Sequence, residues 1–234
     1  MKQKSTLILK SLFSASILAM AFTACKKDKN PETPKNAKLS IIHASPGNPE
    51  LSFYVNGQKA NTSTSLTYST TIPYADIKPG SQVLSVTKKG ASEVLAKSSF
   101  DLKSANNFSV YVAGTPTNTV LVFAQDDLSA PAAGKAKVRF VNMSPNAGSL
   151  DFSVEGKTVA LASNQDFKSV TGYSSIDPGN EVTFEIKQNG KTEVLTNLPK
   201  VKIEQGKIYT LWAKGIIASA DATTKLGLGM IKNN

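Results

Sequence analysis

The chain has 234 residues, of which 40% are hydrophobic and 19% are charged, and it carries a formal net charge of +10 at pH 7. This composition indicates one large or two smaller folded domains and excludes a disordered chain, which would be poorer in apolar residues and richer in charge. The chain has 1 cysteine and 1 histidine. An internal disulfide is therefore excluded, and so is a zinc site built from several histidines or cysteines.

The first 24 residues have the pattern of a secretory signal. Three lysines precede an uncharged apolar run at residues 11–24 (SLFSASILAMAFTA), which is shorter than the roughly 20 residues that a transmembrane helix needs. The only cysteine, Cys25, follows this run directly. The arrangement resembles the bacterial lipoprotein signal. That resemblance implies removal of residues 1–24 and attachment of fatty acyl chains, such as palmitate, to Cys25.

Residues 25–36 are predicted to form a polar tether, which Pro31 and Pro34 stiffen. Several acyl chains on one cysteine give stable membrane anchoring, whereas a single chain does not. The lipoprotein resemblance thus implies a bacterial envelope protein held at a membrane through its lipid. Lys26 stands where an aspartate would be associated with retention at the inner membrane. We therefore expect the outer membrane, with the folded part facing the periplasm or the cell exterior.

The basic charge does not indicate a nucleic-acid partner. Lysine supplies nearly all of the 27 basic residues, and Arg139 is the only arginine. Recognition of bases and phosphates favours the bidentate guanidinium, and the sequence has no motif of a nucleic-acid-binding fold. The lysines instead predict a solvated surface on which charged edge strands oppose sheet-to-sheet association.

The two halves of the chain resemble each other in sequence. KLSIIHASP at residues 38–46 matches KVRFVNMSP at residues 137–145, and LSFYVNG at residues 51–57 matches LDFSVEG in the same register. Similarity that keeps its register over this length indicates two duplicated domains. The predicted boundaries are a first domain at residues 37–126, a linker at 127–136 and a second domain at 137–234.

Each half has the residue pattern of antiparallel strands. Leu51, Phe53 and Val55 alternate with other residues and end at Asn56-Gly57, a pair typical of a two-residue hairpin because both residues tolerate positive φ. The segments after Cys25 show no helical periodicity. We predict an all-β protein of two tandem antiparallel β-sandwich domains, and immunoglobulin-like and transthyretin-like topologies both remain open.

The stretch HASPGNPELSFYVNG, at residues 43–57, resembles the hallmark of the family known as domain of unknown function 4397. That resemblance implies a secreted or anchored bacterial protein with tandem sandwich domains. It also marks four family-motif positions, namely His43, Ser45, Pro46 and Asp151. The second half has Asn142 in place of the histidine, and the first half has Ser52 in place of the aspartate. Because neither half keeps the whole set, we predict that the chain is not an enzyme.

Two pairs of residues are candidates for a functional site. His43 and Ser45 lie two residues apart on one strand face, as a base and a nucleophile could, although a purely structural role at a Ser-Pro turn is the alternative. Tyr111 and Trp212 occupy equivalent positions in the two halves. Such aromatic side chains could stack on a sugar ring or a partner protein, or they could pack at a sandwich edge or between the domains.

The sequence indicates no cofactor and no metal site, since it has no glycine-rich phosphate loop and no dense Asp/Asn loop for calcium. Taken together, these features predict a non-enzymatic envelope lipoprotein that binds an extracytoplasmic partner, either a polysaccharide or another envelope protein. The alternatives are an envelope hydrolase that uses His43 and Ser45 and a passive architectural spacer.

Overall fold

Residues 34–234 are described by the structure, a computed structural model, and they form 16 β-strands without a helix. The predicted signal peptide, Cys25 and most of the predicted tether lie outside the described residues. The first eight strands are β1 (Ala37–His43), β2 (Leu51–Val55), β3 (Gln58–Lys59), β4 (Thr71–Ile77), β5 (Gly80–Lys88), β6 (Val94–Leu102), β7 (Asn107–Thr115) and β8 (Asn118–Asp126). The other eight are β9 (Ala136–Asn142), β10 (Leu150–Val154), β11 (Ala162–Gln165), β12 (Ser174–Ile176), β13 (Gly179–Gln188), β14 (Val194–Ile203), β15 (Ile208–Lys214) and β16 (Gly227–Lys232).

The strands form four sheets, arranged as two sandwich-like units with the same strand order. In unit 1 the sheet β4-β1-β7-β8 faces the sheet β3-β2-β5-β6, and in unit 2 the sheet β12-β9-β15-β16 faces β11-β10-β13-β14. Aliphatic and phenylalanine side chains fill the space between the sheets of each unit. The all-β sandwich predicted from the sequence is confirmed.

Most strand pairs are antiparallel, but each unit contains one parallel pair. β1 lies parallel to β7, and β9 lies parallel to β15. Both members of each pair are inner strands, and almost all of their residues are buried. Strands covered on both faces have nearly continuous apolar runs, which is why the sequence alternates only weakly there.

The hairpin between β2 and β3 follows the sequence signal. Asn56 and Gly57 have φ values of 49° and 80°, as a two-residue turn with the right-handed twist of its strands requires. β3 nevertheless contains only two residues. At this edge of unit 1, β3 therefore covers little of the space between the two sheets.

The two units pack against each other through the outer faces of their parallel-pair sheets. We call this contact the inter-unit interface. It buries an apolar cluster made of Ile42, Ala44, Tyr111, Ala113, Val122 and Ala124 from unit 1 and Val141, Met143 and Trp212 from unit 2. Burial of so many apolar side chains supplies the main free energy that holds the units together.

An ion pair lies inside this interface. Nη2 of Arg139, on β9, is 2.5 Å from Oδ1 of Asp126, at the end of β8, and the two side chains are 1% and 0% exposed. Ser109 Oγ and Tyr74 OH each donate a hydrogen bond of 2.6 Å to the other carboxylate oxygen, Oδ2. Arg139 Nε donates to Thr210 Oγ1 at 3.0 Å. The only arginine of the chain thus joins the two units and is not available at the surface.

The hydroxyl of Tyr74 completes the polar network. Burial raises the pKa of Tyr74 above its ordinary value, and the neighbouring Asp126 carboxylate raises it further, so this hydroxyl stays protonated and donates. It also accepts a hydrogen bond of 3.1 Å from Nδ2 of Asn233, at the end of unit 2. Each charge of the pair is therefore surrounded by hydrogen-bonding partners, which a buried ion pair needs to offset its desolvation.

We expect Arg139→Met to lower the free energy of unfolding by about 3–5 kcal/mol, because it leaves the Asp126 carboxylate buried without its cation. Urea denaturation followed by the fluorescence of Trp212, the only tryptophan, measures this loss at the interface itself. The matched control is Asp76→Asn, which removes the exposed ion pair of 3.2 Å between Lys38 and Asp76 and should barely move the midpoint. Equal losses in the two variants would contradict the role of the buried pair.

Candidate functional site

The imidazole of His43 is fully buried and holds a turn. Its Nδ1 accepts the backbone N–H of Ser45 at 3.3 Å, and its Nε2 lies 3.1 Å from the carbonyl oxygen of Pro49, to which it donates. These partners assign the proton to Nε2 and require a neutral ring. Burial accordingly lowers the pKa of His43 below its ordinary value of 6.5. The edge of the imidazole faces the ring of Tyr68, with 6.0 Å between the centroids.

Asn142 makes the same contacts in unit 2. Its Oδ1 accepts the backbone N–H of Ser144 at 3.1 Å, and its Nδ2 donates to the carbonyl oxygen of Gly148 at 3.1 Å. The amide thus reproduces both hydrogen bonds of the imidazole. This substitution between the halves is explained by hydrogen bonding alone, with no need for acid–base chemistry.

The serine of the motif is also engaged with the backbone. Ser45 Oγ donates to the carbonyl oxygen of Gly114 at 2.8 Å, and Ser144 Oγ donates to that of Gly215 at 2.7 Å. Both glycines have positive φ, and a Cβ on either would collide with a carbonyl oxygen of the next strand segment. The serine therefore ties the end of the first strand to a turn that only glycine can form.

These contacts do not match the alternative in which His43 and Ser45 act as base and nucleophile. The imidazole contacts the backbone nitrogen of Ser45 and not its hydroxyl. The hydroxyl donates to Gly114 and accepts from Asn48 Nδ2 at 2.8 Å. Both side chains are 0% exposed, so a substrate has no access to either of them.

The other motif positions support turns as well. Pro46 is buried directly after Ser45. Oδ1 of Asp151 accepts the backbone N–H of Asn164 at 2.8 Å and Nδ2 of Asn189 at 3.0 Å. Burial opposes ionisation of Asp151, but these bonds lower its pKa. They fix the edge strand β11 through Asn164 and the loop between β13 and β14 through Asn189.

Tyr111 and Trp212 are buried, which contradicts the binding role that the sequence suggested for them. Tyr111 is 0% exposed and Trp212 is 2% exposed, and both belong to the apolar cluster of the inter-unit interface. Neither ring can stack on a sugar or on a partner protein while the two units are packed. Packing between the domains, the alternative stated above, is what the structure contains.

An open cleft lies at the β3/β4 edge of unit 1, and we call it cleft 1. Its volume is 420 Å³. The opposite edge is closed because β6 packs against β8, whereas β3 is too short to cover the space between the sheets. The apolar side chains that line cleft 1 are Leu39, Ile41, Val55, Ala60, Ile72, Ala75 and Ile77.

Unit 2 has a cleft at the equivalent edge, which we call cleft 2. Its volume is 430 Å³, and its apolar lining consists of Val154, Val159, Ala160, Leu161, Ile176, Pro178 and Val182. Val154 and Ile176 correspond in the sequence match to Val55 and Ile77 of cleft 1. Val159 is 77% exposed. Each unit therefore presents an aliphatic concavity in the same place.

The sequence did not reveal these clefts. Leu39 and Ile41 alternate as core residues do, and they are 5% exposed at the floor of cleft 1. Only the brevity of the edge strands leaves this part of the core open. The described residues 34–234 contain neither a cluster of three metal-ligating side chains nor a helix able to cross a membrane.

Comparison with known proteins identifies a family. The model described as "Domain of unknown function (DUF4397)" matches residues 37–153, which is half of the chain. The match covers unit 1 together with β9 and most of β10. No curated protein matches the sequence.

Solved structures of carbohydrate-binding modules are among those to which this chain is similar. A family 26 module of Eubacterium rectale Amy13K in complex with maltoheptaose is 11% identical, with 83% of this chain and 96% of that chain covered and a TM-score of 0.28. A family 41 module from streptococcal virulence factors, described as recognising α-glucan, is 12% identical, with 82% and 96% covered and a TM-score of 0.26. Similarity at this level carries no argument about the ligand of this chain.

We expect His43→Asn to remove an acid-sensitive component of stability. The folded state binds a proton at His43 more weakly than the unfolded state, so the free energy of unfolding falls as the pH drops below 6.5 toward the lower pKa of the folded protein. The slope from one such proton reaches about 1.4 kcal/mol per pH unit. Asparagine makes the same hydrogen bonds in unit 2 but does not titrate.

Urea denaturation of the wild type and the variant at a series of pH values measures this difference. A smaller slope is expected in His43→Asn between pH 6.5 and the onset of carboxylate protonation. The same slope in both proteins would show that the imidazole is not held neutral in unit 1.

Proposed function

This chain belongs to the DUF4397 family, and we propose that it is a non-enzymatic binding module of the bacterial cell envelope. In this proposal Cys25 carries the lipid anchor at the outer membrane, and two duplicated sandwich domains stand off from it on the tether of residues 25–36. Clefts 1 and 2 are the sites that receive an extracytoplasmic partner.

The presence of an equivalent cleft in both units is the observation that carries this proposal. Ligand sites are concave and mostly apolar, with volumes of about 300–1,000 Å³, and both clefts fall in this range. The residues that distinguish the family motif are used for turns, so they offer no competing site. An aliphatic surface left open twice in one chain costs solubility, which favours a binding role for it.

The partner classes predicted from the sequence were a polysaccharide and another envelope protein. The case for a polysaccharide depended on Tyr111 and Trp212 as stacking platforms, and burial of both rings removes that support. An apolar segment of a partner protein suits an aliphatic cleft. Rigid packing of the units also suits a spacer, and the binding experiment below separates the two functions.

The membrane anchor is tested by metabolic labelling with palmitate. We expect label on the wild-type protein and none on Cys25→Ser, since Cys25 is the only cysteine. The variant should also move from the membrane fraction to the soluble fraction, and protease treatment of whole cells should establish which side the protein faces. Equal labelling of both proteins would contradict the anchor.

The binding role is tested by substitutions that fill the clefts. Ala60→Trp places a large side chain in cleft 1, and Ala160→Trp does so in cleft 2. Binding of the purified protein to a panel of envelope polysaccharides and purified outer-membrane proteins should weaken by at least about tenfold in the double variant, a loss of roughly 1.4 kcal/mol.

Ala91→Trp is the matched control, because Ala91 is an exposed alanine in the turn between β5 and β6 and lines neither cleft. The control should bind as the wild type does. Equal binding in all three proteins would show that the clefts are not the site, and absence of any binding by the wild type would favour the spacer.

A further inference from the structure

We propose that clefts 1 and 2 each bind one free long-chain carboxylate, with its alkyl chain inside the cleft and its carboxylate at a lysine on the rim. This inference rests on the proposed function in that it uses the same two clefts as binding sites, and it adds a small ligand to the macromolecular partner proposed above. It follows from the lining, the charge of the rim and the size of each cleft.

The lining suits an alkyl chain. The apolar side chains of both clefts are aliphatic, and neither lining contains an aromatic ring among the described residues. A sugar ring is held by stacking against aromatic faces and by directed hydrogen bonds. An alkyl chain needs neither of these, and it gains free energy in proportion to the apolar area that it removes from water.

The rim of cleft 1 carries surplus positive charge. Lys59 and Lys78 are exposed there, and neither forms an ion pair with a carboxylate in residues 34–234. The acidic group of this rim, Asp76, is already paired with Lys38. An incoming anion therefore meets the ammonium groups of Lys59 and Lys78 beside an apolar floor, although Lys59 also attracts the neighbouring Glu50 carboxylate.

The rim of cleft 2 has the same character with fewer charges. Lys157 lines the cleft and forms no ion pair in the described chain, although it attracts the Asp177 carboxylate, which pairs with Lys135 at 2.5 Å. A carboxylate head group is attracted to such a rim, and a cationic head group is repelled. We thus expect cleft 1 to bind the more tightly of the two.

The volume of each cleft limits how many alkyl chains it can hold. Volumes of 420 and 430 Å³ suit a single alkyl chain in each cleft, and they are small for a phospholipid with two chains. The volumes therefore favour a ligand with one chain over a bilayer lipid with two. Two independent clefts predict two ligands per protein molecule.

Isothermal titration of the purified protein with laurate tests the inference. We expect about two laurate ions per chain and an affinity that rises by up to roughly fourfold for each added methylene in a series of longer carboxylates. Butyrate, which lacks the chain, should show no measurable binding. Dodecyltrimethylammonium, which has the chain with the opposite charge, should bind at least about tenfold more weakly than laurate.

The variants locate the two sites. Ala60→Trp and Ala160→Trp should each reduce the stoichiometry from two laurate ions to one, and Ala91→Trp should retain two. Lys59→Gln combined with Lys78→Gln should weaken only the tighter site. Circular dichroism and the urea midpoint establish that each variant is folded before its titration.

The inference is overturned if laurate does not bind, if the tryptophan variants leave its stoichiometry at two, or if the cationic amphiphile binds equally well. Loss of polysaccharide or protein binding in the cleft variants, without any binding of laurate, would leave the proposed function standing and reject the carboxylate. If the cleft variants keep all polysaccharide or protein binding and laurate does not bind, both the proposed function of the clefts and the carboxylate inference are rejected.

Discussion

The pairing of Asp126 with Arg139 is the interaction on which the arrangement of the two units depends. Two charges placed in an apolar contact are tolerated only when each meets the other and its remaining polar atoms are hydrogen-bonded. Tyr74 and Ser109 meet that condition for the carboxylate, and Thr210 meets it for the guanidinium. The apolar contacts around the ion pair hold the two units together, but they would survive a small shift of one sheet over the other. The ion pair would not, because its two charged groups meet in only one register of the sheets.

This interface also explains why the aromatic residues and the clefts have different roles. The outer faces of β7 and β15 would be ordinary exposed sheet surface in an isolated unit, and there Tyr111 and Trp212 would be accessible. Because the faces are joined, both rings serve stability. The accessible apolar surface is left at one edge of each unit, where the edge strand β3 of unit 1 has only two residues and β11 of unit 2 has four. Accessible apolar surface therefore lies at the open edges and not on the sheet faces.

Much of the fold followed from local sequence. The alternation of Leu51 and Phe53 and the turn at Asn56-Gly57 predicted a hairpin because both signals act over a few residues. The parallel pairing of β1 with β7 was not visible in the sequence, since the residue pattern of a strand does not specify the direction of its partner.

The candidate site was predicted less well than the fold. The match of Tyr111 with Trp212 was right, since both lie in the inter-unit cluster, but the sequence could not tell what covers them. The clefts could not be predicted for the same reason. Leu39 has the sequence pattern of a core residue whether or not an edge strand covers it.

The position of β1 has a mechanical consequence. The chain enters unit 1 through this strand, which lies between β4 and β7 and is hydrogen-bonded to both. If Cys25 is fixed in a membrane, as proposed, tension on the anchor reaches β1 first, and its component along the strand axis runs across the direction of those bonds. Bonds loaded in shear have to yield together, whereas bonds at a strand end peel apart one after another. Under the proposed anchoring, forced unfolding of the chain by flow or by a bound partner would then be limited by one cooperative barrier.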